Sequence, residues 1–220
     1  MKIKDNIHSI TSSIPSNVTL VAVSKTKPVS DILEAYEAGQ RVFGENKIQE
    51  MASKYDEMPK DIEWHMIGHI QRNKVKYMAP FVSLIHAVDS LRLLSEINKQ
   101  AIKNNRVIDC LLQIKIASEE SKFGLSESDA MDLLTSEEYK SFKNIRVVGL
   151  MGMATFTDNK KQLQKEFGFL ENIFDSLKEN NDLNILSMGM SDDYPIAIEN
   201  GSTMIRVGSS IFGKRAFSIS

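Results

Sequence analysis

Two lysines close an apolar run near the start of the chain, in "VAVSKTKP" (21–28). Residues 19–25 have the pattern of a buried strand, along which side chains alternate. Val21, Val23 and Lys25 then share a face, and Lys27 continues it past the strand end. A lysine amine is a nucleophile only when unprotonated. Partial burial lowers its pKa, and so does a second cation nearby. The sequence offers Lys25 both, with an apolar strand beneath it, Lys27 above it and Arg206 at the end of the last apolar run. The chemistry on offer is Schiff-base formation with a carbonyl. The plain alternative is a pair of lysines that snorkel to solvent.

A second group of residues lies toward the other end of the chain. "SMGMS" (187–191) and "RVGSSIFG" (206–213) put small residues where apolar runs finish. Gly189, Gly208, Ser209 and Ser210 can present N–H groups and hydroxyls to an anion. A short helix starting there would add favourable dipole charge. Glycine–serine turns alone are common. Paired with a Schiff-base lysine, they describe a site for an aldehyde-bearing phosphate ester, and pyridoxal 5′-phosphate has that shape. Arg206 would point toward the ring. Always charged and donating only, it would keep a pyridine nitrogen unprotonated. The alternative for Arg206 is an ordinary ion pair.

These residues need elements to hold them. Short apolar runs recur at 19–25, 41–46, 62–68, 81–89, 109–117, 145–153, 183–191 and 203–213. Several are rich in Val and Ile and too short for helices. Helical segments lie between them. "SDILEAYEAG" starts at a candidate Ser30 cap and ends at Gly39. Apolar positions 91, 94, 97 and 101 share one helical face, as do 163, 167, 170, 174 and 177. Residues 1–13 read as an extra helix before the first strand. Strands alternating with helices imply parallel pairing and right-handed crossovers. Eight units predict a closed (β/α)8 barrel of TIM type with an extra N-terminal helix, and an open doubly wound sheet is the alternative. No linker or compositional shift divides the chain, so residues 1–220 are expected to form one domain.

In such a barrel, function sits at the C-terminal ends of the strands. Here those positions are Lys25, Asn46, Gly68–His69, Asp89, Met151–Met153, Ser187–Ser191 and Arg206–Ser209.

Composition narrows the function classes. A net charge of −2 without like-charge blocks points away from nucleic acid and anionic membranes. The opening residues lack the apolar core of a signal peptide, and no stretch approaches the roughly 20 apolar residues of a membrane span. One cysteine, Cys110, sits in an apolar run and is expected to be packing. These features predict a cytoplasmic protein.

The motifs match a known family. "AVSKTKP", "AGQRVFGEN" followed by "QE", "EWHMIGHIQRNK", "SKFG", "GLMGMAT", "SMGMSDD" and "GSTMIRVGSSIFG" run in order from about residue 20 to 213. Together they resemble the pyridoxal phosphate-binding homeostasis proteins, single-domain relatives of the alanine racemase N-terminal barrel. The resemblance implies a (β/α)8 barrel and pyridoxal phosphate as an internal aldimine on Lys25. It implies that Asn46 lines the ring, that Arg206 faces the pyridine nitrogen, and that Ser191, Gly208 and Ser209 form the phosphate cup. The implied role is to carry, buffer and hand over the cofactor, with PLP-dependent apoenzymes as partners and no established turnover. The family commonly has an aromatic residue where this chain has Lys47.

Two enzymatic readings compete. An amino-acid racemase needs a base on each face of the substrate carbon. Lys25 can serve one, and of the tyrosines only Tyr194 falls near the expected mouth. A barrel aldolase would use the same lysine and anion cup without cofactor. Without a second domain to exchange contacts, a monomer is expected.

Other residues receive plainer readings. His65 and His69 fall on a strand and its exit, so their spacing does not make a metal pair. "SDD" (191–193) is expected to cap the following helix. "QRNKVK" (71–76) is a basic stretch on a predicted helix, a solvated face or a docking surface. Met151, Met153, Met188 and Met190 are candidates to line the ring pocket, and Met188 is expected to bind the cofactor.

Overall fold

The structure, a computed structural model, describes residues 2–118 and 123–213. The chain alternates helices and strands in the order α1 (Ile3–Ser13), β1 (Thr19–Val23), α2 (Val29–Glu37), β2 (Val42–Glu45), α3 (Ile48–Glu57) and β3 (Glu63–Met66). A 3-10 turn (Arg72–Lys74) leads into α4 (Val75–Met78), then β4 (Leu84–Val88), α5 (Leu91–Lys103) and β5 (Ile108–Ile114). The order continues with α6 (Glu127–Thr135), α7 (Glu137–Ser141), β6 (Ile145–Gly152), α8 (Lys160–Asn181), β7 (Ile185–Ser187), α9 (Tyr194–Glu199), β8 (Met204–Val207) and α10 (Ser209–Phe212). The eight strands pair in parallel and in sequence order, and β1 pairs with β8 to close a barrel. This is the predicted (β/α)8 architecture, and α1 is the predicted extra helix, packed on α2 and α10.

Alternation along the strands divides the core in two. Val21, Leu84, Ala87, Leu111, Met151 and Met204 face inward and fill the barrel. Leu20, Phe43, Trp64, Ile85 and Leu150 face outward, beneath the helices. The helices answer with the stripes their periodicity predicts. In α8, Leu163, Phe167, Leu170, Phe174 and Leu177 are all buried. In α5, Leu94, Ile97 and Ala101 are buried, while Leu91 is half-buried. Cys110 faces this outer core, fully buried, and burial pushes its thiol pKa up.

Two local expectations need correcting. Ser30 lies inside α2, not at its cap. Pro28 precedes the first helical residue, and its fixed φ of −69° starts the helix earlier. The basic stretch 71–76 is not one helix but the 3-10 turn followed by the start of α4.

Gly149 follows a register shift between β5 and β6, where Val148 is skipped in the pairing. A Cβ at Gly149 would run into the carbonyl oxygen of Ile185 on β7. Strand interiors disfavour glycine except where another backbone comes this close. Gly149→Ala should therefore destabilise the fold by about 2–3 kcal/mol, the scale of overpacking a core. A shift of the urea midpoint to lower concentration with an unchanged slope checks this.

Two histidines face the barrel interior, His65 on β3 and His86 on β4, with Nδ1 of His65 3.0 Å from Nε2 of His86. Desolvation lowers the His65 pKa to about 3. His86 is also lowered well below the usual histidine value, first by desolvation and then by His65 and Arg206. The unfolded chain protonates both near pH 6.5 while the fold resists, so stability is full above that pH and falls as pH drops toward 3. The loss is at most about 1.4 kcal/mol per pH unit for each histidine. Urea midpoints should fall steadily between about pH 6.5 and 5, above the carboxylate range. His65→Gln should flatten that slope.

Candidate functional site

A cavity of about 700 Å³ opens at the C-terminal ends of the strands. Six of the seven predicted binding residues line it: Lys25, Asn46, Ser191, Arg206, Gly208 and Ser209. Val23, Lys27, Ile67, Met153 and Met190 complete much of the wall. Met188 is the exception. Ser187 turns inward to bond His86 and Arg206, so the next residue turns outward. Met188 is fully buried in the outer core. Of the four strand-end methionines, Met153 and Met190 reach the cavity, while Met151 fills the barrel below it.

Lys25 sits half-buried one turn beyond β1. That turn is clamped from beneath. The Lys27 amide donates to the Ser24 carbonyl at 3.0 Å. Thr26 has a left-handed φ of 64°, a costly conformation for a β-branched residue. Its amide donates to Oε1 of Glu50 at 2.5 Å. Lys54, on α3, donates from Nζ to the Ser24 carbonyl at 2.8 Å and to Glu45 and Glu50 at 2.7 Å each. Ser24 Oγ donates to the same Glu45 oxygen at 2.7 Å. The Glu45 side chain has no exposure and that of Lys54 only 7%. Desolvation raises the Glu45 pKa, with the Lys54 hydrogen bond and charge opposing it. Removing one member of such a buried pair costs about 3–5 kcal/mol, because the other charge is left unpaired.

The anion end is built from β7, β8 and the short helix α10. The Gly208 amide donates to Ser191 Oγ at 3.2 Å, joining the two loops. Gly189 has a φ of 99°, and a Cβ there would lie 2.9 Å from Tyr194 Cα. Glycine is thus required where the β7 exit folds back on α9. Asp193 does not cap α9 through its side chain as expected. Its Oδ1 accepts from the Met190 amide at 2.5 Å, which fixes the loop carrying Ser191. Lys27 Nζ donates to the Phe212 and Gly213 carbonyls, at 2.8 and 3.2 Å. A cation on the last carbonyls of α10 ties the lysine turn to the anion end.

Asn46 owes its place to Gly68. A Cβ on Gly68 would lie 2.7 Å from Asn46 Cα, so only glycine lets the two strand exits meet. Arg206 is 4% exposed. Its Nη1 donates to Ser187 Oγ at 2.6 Å and its Nη2 to the Gly152 carbonyl at 2.9 Å. Both acceptors are neutral, so neither contact is an ion pair. Desolvation lowers its pKa to about 10, with the charge of nearby Asp193 opposing, and it stays charged at neutral pH. Guanidinium N–H groups remain beyond these two bonds, on a residue that lines the cavity.

The other candidates lie elsewhere. Tyr194 packs half-buried against the outer core, and no tyrosine is among the described residues that line the cavity. His65 points into the barrel, while exposed His69 faces Asp89 at 3.8 Å and stacks on Phe123. Lys47 is exposed just before α3. Ser121 and Lys122 of "SKFG" lie outside the described residues. The sequence reading missed the Glu45–Lys54 pair and His86. Glu45 and Glu50 were visible within "FGEN" and "QE" as acids beside a strand end.

Comparison with known proteins places this geometry. The model of the alanine racemase N-terminal domain family matches residues 1–216. The pyridoxal phosphate homeostasis protein of Aquifex aeolicus is 39% identical over 201 residues, covering 90% of this chain and 87% of the relative. That of Haemophilus influenzae is 38% identical over 211 residues, covering 93% and 88%. PipY of Synechococcus elongatus, whose structure was solved with PLP bound, superposes with a TM-score of 0.87 at 33% identity, covering 96% of this chain and all of PipY. Alanine racemase from E. faecalis shares the fold at a TM-score of 0.80, although only 14% identical; the match covers 97% of this chain and 58% of the racemase. The chain belongs to the pyridoxal phosphate homeostasis proteins, within the alanine racemase N-terminal domain family.

Proposed function

We propose that the chain binds pyridoxal 5′-phosphate as a Schiff base on Lys25 and holds it as an exchangeable cargo for PLP-dependent apoenzymes. One observation carries this reading. A half-buried amine, a guanidinium with N–H groups to spare and a cluster of small neutral residues share one cavity wall, which Asp192 and Asp193 also line. That donor set fits a flat, aldehyde-bearing phosphate ester. On this reading Lys25 takes the aldehyde, Asn46 the ring face and Arg206 the ring nitrogen, while Ser191, Gly208 and Ser209 take the phosphate. The cofactor itself would supply a carbonyl that condenses with amines and a ring that takes up electrons.

The residues around it favour carriage over turnover. Arg206 donates only and is charged, so it would hold a ring nitrogen unprotonated and weaken the electron sink. Racemisation needs a second base opposite Lys25. Tyr194, the candidate for that role, packs against the core instead. The names of the relatives, homeostasis proteins, agree with a regulatory role.

Adding pyridoxal 5′-phosphate should give a visible absorbance band in the wild type that Lys25→Ala lacks. Borohydride reduction should fix the cofactor mass on the peptide containing Lys25. Mass on another lysine, or an unchanged band in Lys25→Ala, would sink the assignment. A protein that gains no band would return the aldolase reading.

Incubation of the loaded protein with L- or D-alanine should give no sustained interconversion by chiral chromatography. Turnover abolished by Lys25→Ala would make it a racemase.

A further inference from the structure

A line of polar side chains crosses the barrel interior beneath the cavity. Arg206 Nη1 donates to Ser187 Oγ at 2.6 Å. Ser187 Oγ lies 3.1 Å from Nδ1 of His86, and Nε2 of His86 lies 3.0 Å from Nδ1 of His65. The four residues come from β8, β7, β4 and β3. All four are buried, with exposures of 4, 0, 0 and 4% respectively.

Donor accounting gives this line a direction. Arg206 can only donate, so one lone pair of Ser187 is taken. The Ser187 hydrogen then needs an acceptor, and the acceptor within reach is Nδ1 of His86. His86 must therefore carry its proton on Nε2 and donate to Nδ1 of His65, which puts the His65 proton on Nε2 as well. With the tautomers reversed, Ser187 would accept from two donors while its own hydrogen went unused. A buried hydroxyl in that state is costly. Burial of both rings also keeps them neutral, as the direction requires.

We propose that Arg206→Ser187→His86→His65 is a one-way hydrogen-bond relay, with His86 the positioning residue that holds Arg206 against the cavity and His65 fixing the His86 tautomer. The role of Arg206 toward the ring nitrogen rests on the function proposed above; the relay does not. Without it, Arg206 would stand in a barrel lined by Val21, Leu111, Met151 and Met204. The Gly152 carbonyl and the charge of nearby Asp193 would then act on it without the hydroxyl contact that fixes Nη1. In the relay each bond polarises the next, so the guanidinium charge strengthens the whole line.

Nitrogen NMR of the ligand-free protein tests the direction. Both histidines should show the Nε2–H tautomer at neutral pH, assigned with His65→Gln and His86→Asn. An Nδ1–H or charged form of either would overturn the proposal. The same spectra test the positioning. The Arg206 Nη signals should be resolved in the wild type and merge in His86→Leu. They should stay resolved in His86→Asn, whose Oδ1 replaces the lost acceptor. Merging in neither variant, or equally in both, would overturn it. If His86→Leu does not fold, the wild-type tautomers and His86→Asn still decide. With pyridoxal 5′-phosphate, His86→Leu should bind about tenfold more weakly and His86→Asn within a few-fold of the wild type, the cost of one unsatisfied buried group. Wild-type affinity in a folded His86→Leu would remove the positioning role. Failure of the wild type to bind would sink the function reading and leave the relay to the NMR result.

Discussion

The pairing of β1 with β8 is the constraint on which the rest depends. It sets Val21 beside Arg206 and brings the first strand against the last. Lys25 and the Gly208–Ser209 donors are more than 180 residues apart in sequence, yet they line one cavity because the sheet closes. Neither end has a site alone. Lys27 reinforces the closure from above, by bonding from the β1 exit to the last carbonyls of α10. Asn6 adds a bond from α1 to the Ile211 carbonyl at 2.8 Å. The extra helix thus braces the same seam.

The barrel pays for its site by placing polar groups where burial is costly. It does so at two levels. Outside the strands, Glu45 and Lys54 form a buried ion pair, and its hydrogen bonds also satisfy the Ser24 carbonyl. Inside, Arg206 is solvated by a serine, a carbonyl and, through the serine, two neutral histidines. One arrangement shapes the turn that carries the amine, and the other, on the relay proposed above, orients the cation beneath it. Below both, Val21, Leu84, Ala87, Leu111, Met151 and Met204 form an apolar filling.

The sequence was most informative where a physical period operates. Alternation and helical stripes predicted the strands, the faces of α5 and α8, and the inward path of Lys25. Strand ends then named six cavity residues. Met188 lies outside the cavity because its environment depends on one step of strand parity, and the inward place is taken by Ser187. The Ser30 and Asp193 caps failed because a small polar residue near a helix start has several possible partners. The Glu45–Lys54 pair and the histidine line were not legible. Their members sit on different elements, and only the barrel's closure and the docking of α3 make them neighbours. No spacing rule encodes such a contact.

The burial of Cys110 has a consequence for any aldehyde held in the cavity. Thiols add to aldehydes and, with a neighbouring amine, close into rings that are hard to reopen. The chain contains a single thiol, and it is sealed in the outer core in its unreactive protonated form. On the reading proposed here, a bound carbonyl meets no sulfur nucleophile from its own host. Loading and release are then governed by amines alone, and the stored molecule is protected from the side reaction that would otherwise consume it.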